Sequence, residues 1–378
     1  MRRLALLSAF AVALVSVADG SASAAGPAAE ADRALDRALR GLVAAKDGPP
    51  GVIALVQRGD SRRVHSAGVA DVEDDGSLRA RRQMRIASVA KAFSGAAALS
   101  LVDAGLLGLD DTIGARLPDL PAAWHAVTLR QLLGHTSGLP DFTASRGFAE
   151  AVNASPRVAP PPRRLLSYVE GQPLLFPPAS SYRYSNSDNV VVGLIVEAVA
   201  ATTYDRALGR LVFGPLRLRR TLLPSGVALP AGFIHGYGRD GAAFEDVSQV
   251  VAFGGWAWAS GGLVSSPGDL NRFVRGYVGG KLFGGATRRA QFQFGQGHSE
   301  PPGPGRNTAG PALFRYRTDC GTVYGHTGSI LGYTQLIAAT RNGRRSLTFT
   351  INAQYTDDLL PQLRRAQVAA VCAALAGS

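Results

Sequence analysis

Lysine is nearly absent from this chain. Of 40 Lys and Arg residues only Lys46, Lys91 and Lys281 are lysines, which leaves 37 arginines. Cysteine is as scarce. Cys320 and Cys372 are the only two, too few for a zinc ribbon or a disulfide-dense scaffold. Beyond the N-terminus no apolar run reaches the roughly 18 residues of a membrane span, so the mature chain is expected to have none. A G-x-S-x-G elbow, a G-x-x-x-x-G-K-[ST] phosphate loop and an H-E-x-x-H zinc helix are all missing. The six histidines lie far apart and lend no local support to a metal site. No metal or other cofactor is expected. There is no internal repeat.

What is present is an ordinary folding composition, 46% apolar and 18% charged over 378 residues. That length suggests two lobes. The formal net charge is +12. The arginines come in short groups such as Arg217-Leu218-Arg219-Arg220 and Arg344-Arg345, without interleaved aromatics. No nucleic-acid partner is therefore expected, and the charge favours anionic surfaces by long-range attraction. Residues 1–24 read as a cleaved export signal, with Arg2 and Arg3 first, an apolar stretch over 4–18, and Ala22-Ser23-Ala24 as an A-x-A cleavage pattern. A secreted chain can keep a disulfide. Cys320 and Cys372 are expected to form one, tying the last helix to the strands ahead of it.

Residues 25–33 read as a loose start and 34–45 as helical. Strands are expected at 51–57 and 63–69. Residues 88–104, rich in Ala and Leu, predict a buried helix. A short helix opened by Thr128 spans 129–133. Three prolines make 158–164 a loop, and 189–201 is a core helix. Residues 266–278 begin with a Ser-Pro cap signal. Pro and Gly make 298–311 an exposed loop. Runs at 333–340 and 346–352 flank Asn342-Gly343, a strong hairpin signal, and 357–376 closes the chain as an amphipathic helix. Strands thus cluster at both ends, with helices between. An α/β lobe from 25–87 and 250–378 is expected, with a mainly helical lobe from 88–249.

Three short patterns carry chemistry. In Ser88-Val89-Ala90-Lys91 the serine and lysine stand at i and i+3 on one helix face, so hydroxyl and amine can touch. A serine becomes a nucleophile when a base takes its proton. A lysine serves when burial lowers its pKa, and Ala87, Val89, Ala90 and Phe93 point to burial. Next, Tyr184-Ser185-Asn186 offers a phenol for proton transfer and an amide for a substrate carbonyl. Finally, His326-Thr327-Gly328-Ser329 precedes the hairpin, and Gly328 permits close backbone approach. His135-Thr136-Ser137-Gly138 has similar letters, but it follows a short helix and reads as structural.

In this order, S-x-x-K, Y-x-N and H-T-G resemble the serine β-lactamase and penicillin-binding protein superfamily. The chain looks most like its secreted D-alanyl-D-alanine carboxypeptidases related to class C β-lactamases. Flanking segments agree, among them LRQLLGHTSGLP at 129–140, YRYSNSDNVVVG at 182–193 and YGHTGSILGY at 324–333. The resemblance implies an α/β (α+β) fold, with a five-stranded antiparallel sheet flanked by helices plus a helical lobe. It implies Ser88 as the acylated nucleophile, Lys91 and Tyr184 as proton carriers, and Asn186 as a substrate-amide ligand. His326, Thr327, Gly328 and Ser329 would line the third wall, with His326 where many relatives carry Lys. Backbone N–H groups of Ser88 and Ser329 would form the oxyanion hole. Trp256, and with it Phe148, would be cleft aromatics. Arg315, or Arg317 beside it, would hold a substrate carboxylate. The expected partner is a peptide ending in D-Ala-D-Ala, or a β-lactam, and the chain is expected to act as a monomer. A class C-type β-lactamase and an esterase or D-amino-acid amidase remain alternatives.

Overall fold

The apolar run after Pro49-Pro50 becomes β1 (Gly51–Arg58), whose first six residues are buried. The chain turns at Gly59, in the left-handed region at φ 58°, and returns as the mostly exposed β2 (Ser61–Gly68). The structure is a computed structural model that describes residues 26–74, 76–240 and 243–377. The segment 1–24, expected to be an export signal, lies outside the described residues.

The other strands of the main sheet come from the far end of the chain. They are β3 (Arg306–Gly310), β4 (Leu313–Thr318), β5 (Gly321–Ile330), β6 (Tyr333–Ala339) and β7 (Arg345–Ile351). All seven form one antiparallel sheet in the order β2-β1-β7-β6-β5-β4-β3. The register places Val52 opposite Ile351. The Asn342-Gly343 turn closes β6 onto β7, with Gly343 at φ 68°. The sheet therefore has seven strands rather than five, because the β3–β4 hairpin extends its β5 edge. β3 corrects the expected loop at 298–311. The prolines and glycines there are concentrated over 301–305, and the chain is free to pair from Arg306 onward.

One face of the sheet is covered by α1 (Pro27–Val43) and α5 (Leu360–Leu375), which pack on each other. Leu35, Leu39, Leu363 and Val371 meet Ala54, Leu336 and Phe349 in that layer. The opposite face carries α2 (Ala90–Asp103), α3 (Asn186–Ala200) and α4 (Pro267–Gly279), with Phe93, Val190 and Phe273 in the larger core. α1 starts earlier than its pattern suggested. Pro27 occupies a first-turn position, where its missing N–H costs nothing. Asp32 within it is buried and accepts a forked pair from Arg58, at 2.7 and 2.7 Å. Similarly, a short helix at Pro162–Leu166 begins inside the expected proline loop.

Cys320, in the turn between β4 and β5, is bonded to Cys372 of α5, with Cα atoms 5.2 Å apart. The bridge closes a loop of 52 residues. Replacing both cysteines by serine is expected to lower unfolding stability by about 2–4 kcal/mol. Denaturant titration reads this directly, and an unchanged midpoint would contradict it. Among the described residues no helix is long and apolar enough to cross a membrane.

Candidate active site

Ser88 sits in a 3₁₀ turn, Ala87–Val89, that leads into α2. The regular helix begins at Ala90, slightly later than expected. Ala87 is held at φ 51°, a conformation that costs a non-glycine residue energy and persists only where the surroundings enforce it. Behind the turn runs β5. A Cβ on Gly328 would lie 2.8 Å from the Ser88 nitrogen and 2.9 Å from both Ile86 O and Val89 N. Gly328 is therefore what lets the third wall touch the nucleophile turn.

Lys91 is 1% exposed. Its Nζ donates to Ser88 Oγ at 3.0 Å, Asn186 Oδ1 at 2.7 Å and Ser260 O at 2.7 Å. Burial pushes its pKa down to about 7, against the opposing pull of Asp141, Glu300 and Asp188. A neutral amine has two N–H donors and one lone pair. The donors match Asn186 Oδ1 and Ser260 O, which leaves the lone pair for the Ser88 hydroxyl.

Asn186 is the first residue of α3. Its Nδ2 donates to Asp141 Oδ2 at 2.9 Å and Thr143 Oγ1 at 3.2 Å, and its backbone N–H to Asp141 Oδ2 at 3.1 Å. Asp141 thus fixes which way the Asn186 amide points. Tyr184 is buried beneath Lys91, whose Nζ stands 4.9 Å from the ring centroid. Among the described residues its hydroxyl has no hydrogen-bond partner, although Ser88 is near enough to bear on its acidity. Burial raises its pKa well above that of a free phenol, so the hydroxyl keeps its proton at neutral pH.

The 135–138 segment meets this site from behind. The His135 ring lies 4.5 Å from that of Tyr184. Its Nδ1 is 2.7 Å from Asp188 Oδ2, and Ser137 Oγ donates to the other Asp188 oxygen. Burial lowers the His135 pKa to about 3 and raises that of Asp188 well above the usual carboxylate range. Both charges are disfavoured, and the group serves as a neutral brace for Tyr184.

His326 is also buried, with Nδ1 2.5 Å from Thr327 O and its ring edge-on to Phe314 at 4.9 Å. Burial lowers its pKa to about 3. The third wall therefore carries no positive charge at neutral pH. Thr327 Oγ1 donates to Pro301 O at 2.6 Å, which ties β5 to the loop that bears Glu300. The open cleft beside Ser88, ≈ 430 Å³, is lined by Tyr184, Asn186, Ser329, Glu300, Asp357 and their neighbours.

Trp256, Phe148 and Arg315, like the buried Lys91, His326, Thr327 and Gly328, are not among the residues that line this cleft. Trp256 is 6% exposed, and its ring packs edge-on against Phe148 at 5.8 Å. Phe148 in turn meets Phe142 and Tyr168. These rings form an aromatic cluster at the edge of the larger core, with Phe148 and Tyr168 only half-buried, and neither Trp256 nor Phe148 is among the residues that line the cleft. Arg315 donates through Nε to Thr308 Oγ1 at 3.0 Å and lies over the Phe294 ring at 4.9 Å. It does not line the cleft either. Conversely, Asp141, Ser260 O and Glu300 belong to the site and had no local signature. The distance in sequence between partners, 169 residues from Lys91 to Ser260 and 45 from Asp141 to Asn186, hid them.

A sheet layered between helices, with a buried lysine bonded to a serine at the foot of the first core helix, defines a serine hydrolase of the β-lactamase and penicillin-binding type. The chain belongs to the beta-lactamase family, whose pattern it matches over residues 35–371. It is 24% identical over 319 residues to penicillin-binding protein 4* of Bacillus subtilis, which covers 80% of this chain and 68% of that protein. It is 25% identical over 231 residues to protein flp of Staphylococcus aureus, which covers 60% of this chain, and the match spans only 45% of that relative. Among solved structures it resembles a D-stereospecific amidohydrolase from Streptomyces sp., with TM-score 0.77 and 28% identity, over 89% of this chain and 98% of that one.

Proposed function

We propose that the protein is an exported serine amidohydrolase of D-configured substrates that works through an acyl-enzyme on Ser88. The observation that carries this reading is the buried Lys91, bonded to Ser88 Oγ, whose pKa burial brings down to about 7. In its neutral form Lys91 takes the Ser88 proton as Oγ attacks the substrate carbonyl. Tyr184, which holds its proton at neutral pH, passes it to the departing amine and regains one from Lys91. A water molecule then attacks the ester by the same relay and restores Ser88. The disulfide agrees with an oxidising compartment.

The donor that fits best carries a free α-ammonium group on its acyl side, as in a D-aminoacyl amide. Support comes from charge. Glu300 and Asp357 are the charged side chains that line the cleft with Ser88, and both are acidic. His326 is neutral and Arg315 is elsewhere. A D-alanyl-D-alanine carboxypeptidase, the second reading, must hold a substrate carboxylate. Arg183 is the residue that favours it: burial raises the Glu300 pKa, and Arg183 stands, with His298 and Lys91, near enough to oppose that rise.

One experiment separates the readings. The protein is incubated with a β-lactam and followed by intact mass, with Ser88→Ala as control. D-phenylalanine amide and an N-acylated D-Ala-D-Ala peptide are then compared as substrates. An adduct on Ser88 is expected, with amide turnover the faster. Turnover by Ser88→Ala would sink the acyl-enzyme. Glu300→Gln is expected to lower kcat/KM for the free-amine amide about tenfold or more, the worth of one charged hydrogen bond. Hydrolysis of an N-acetylated ester should barely change. Equal loss on both substrates would remove Glu300 from ammonium recognition.

A further inference from the structure

Arginines that look scattered in sequence converge in space. Arg62 on β2, Arg79 and Arg81 in the loop beyond it, and Arg217, Arg219 and Arg220 far along the chain line two adjoining hollows of ≈ 770 and ≈ 460 Å³. The hollows share Arg62, Gly268 and Arg272, so they are one groove. Arg275 and Lys281 continue it at one end.

Little in the groove offsets this charge. Two carboxylates line it, Asp60 and Asp269. Asp269 is 5% exposed and already engaged. Its Oδ2 accepts from Arg220 N at 2.7 Å and Thr221 Oγ1 at 3.1 Å, and its Oδ1 from Arg272 at 3.5 Å. Arg272 also donates to Arg217 O at 2.7 Å. Among the described residues, none of the six arginines named first forms an ion pair. Like charges gathered within a Debye length repel unless an outside anion joins them.

The form of the charge indicates the anion. Guanidinium forks match phosphate oxygens in pairs, which a lysine surface does not do. Among the described residues no aromatic side chain lines either hollow, so these residues offer no platform for stacking bases. It is open rather than closed around one group. We propose that this groove binds a flexible phosphodiester polymer, a chain of polyol phosphates of the kind found in cell envelopes, through its phosphates alone. The groove lies at the β2 edge and the cleft at β5. Four strand steps of about 4.8 Å separate them, roughly 19 Å across the sheet. A polymer held there leaves the cleft open, and its binding does not depend on the reading of Ser88.

The test uses poly(glycerol phosphate) as probe, with an oligothymidylate of equal charge beside it. Binding is measured from 50 to 200 mM salt. About five phosphate contacts on a flexible chain predict a loss of affinity of about 100-fold across that range. The triple variant Arg79→Glu, Arg81→Glu and Arg219→Glu is expected to bind at least about 30-fold more weakly at 50 mM salt. A control triple, Arg146→Glu, Arg306→Glu and Arg365→Glu, makes the same change in net charge away from the groove and should alter binding less than about threefold. Thermal midpoints of both triples show whether the fold is kept. No binding at 50 mM salt, equal losses in the two triples, or oligothymidylate bound much more tightly than poly(glycerol phosphate) would each overturn the proposal.

Discussion

Acylation of Ser88 by a β-lactam is expected to slow by about a thousandfold when Lys91 is replaced by alanine, within the range that a positioned base contributes. Lys91 has a competent geometry for this, with Nζ 3.0 Å from Ser88 Oγ. It also has a suitable proton affinity, since burial brings its pKa to about 7. The sign of the pH effect follows. The amine must be neutral to accept the serine proton, so the rate rises with pH through about 7 and levels off above it. Below that point each pH unit costs about tenfold, because the neutral fraction falls by that factor. In Lys91→Ala the inflection should vanish along with the rate. Alanine leaves Asn186 Oδ1 and Ser260 O without their partner, so Lys91→Met, which keeps the volume, is the control for packing. Single-turnover acylation between pH 5 and 9, read by mass, gives both results. A variant that kept the wild-type rate, or a wild-type profile flat through neutrality, would remove Lys91 from the proton path.

The second large effect is expected at Gly328→Ala. The added Cβ would lie within 2.9 Å of three backbone atoms of the nucleophile turn. None of these is the end of a flexible side chain. Either β5 or the Ser88 turn must move, and a displacement approaching 1 Å costs about 100-fold in rate. Ala87, already at φ 51°, gives the turn little freedom to adapt. The rate of acylation should therefore fall about 100-fold while the thermal midpoint changes by only a few degrees. Full activity in Gly328→Ala would mean that the contact does not position Ser88.

How much of this could be read from the chain depended on the range of the interactions. The Asn342-Gly343 hairpin and the Thr128 cap are local, and both were legible; Thr128 and Gln131 form a reciprocal capping box. The pairing of Ser88 with Lys91 is local too, since one helical turn spans it. β3 was hidden because its short run Arg306–Gly310 follows a stretch dense in Pro and Gly and becomes a strand only by pairing with β4. The helix at Pro162–Leu166 was hidden because proline signals a loop and a helix start with equal force. Within the site, Asp141 acts by holding Asn186 from 45 residues away, and no spacing rule reaches that far. Trp256 and Phe148 were expected at the cleft by likeness alone. Their apolar rings found a fuller contact with each other and with Phe142 and Tyr168. Cys320 and Cys372 were paired for want of any other candidate, and the structure bonds them.

The pairing of β1 with β7 also dictates an order of events. β1 is buried over six consecutive residues, yet one of its two neighbours in the sheet is β7, the last strand among the described residues. The β1–β2 hairpin, emerging first, has no partner for its inner edge until residues 345–351 arrive. α1 likewise waits for α5, with which it shares the cover of that face. Such distant closures make folding slow, and an unpaired apolar strand invites association with other chains. The sheet can close only after residues 345–351 have been made. A version cut short before β7 would therefore lack a partner for its first apolar strand as well as its own C-terminal strand and helix.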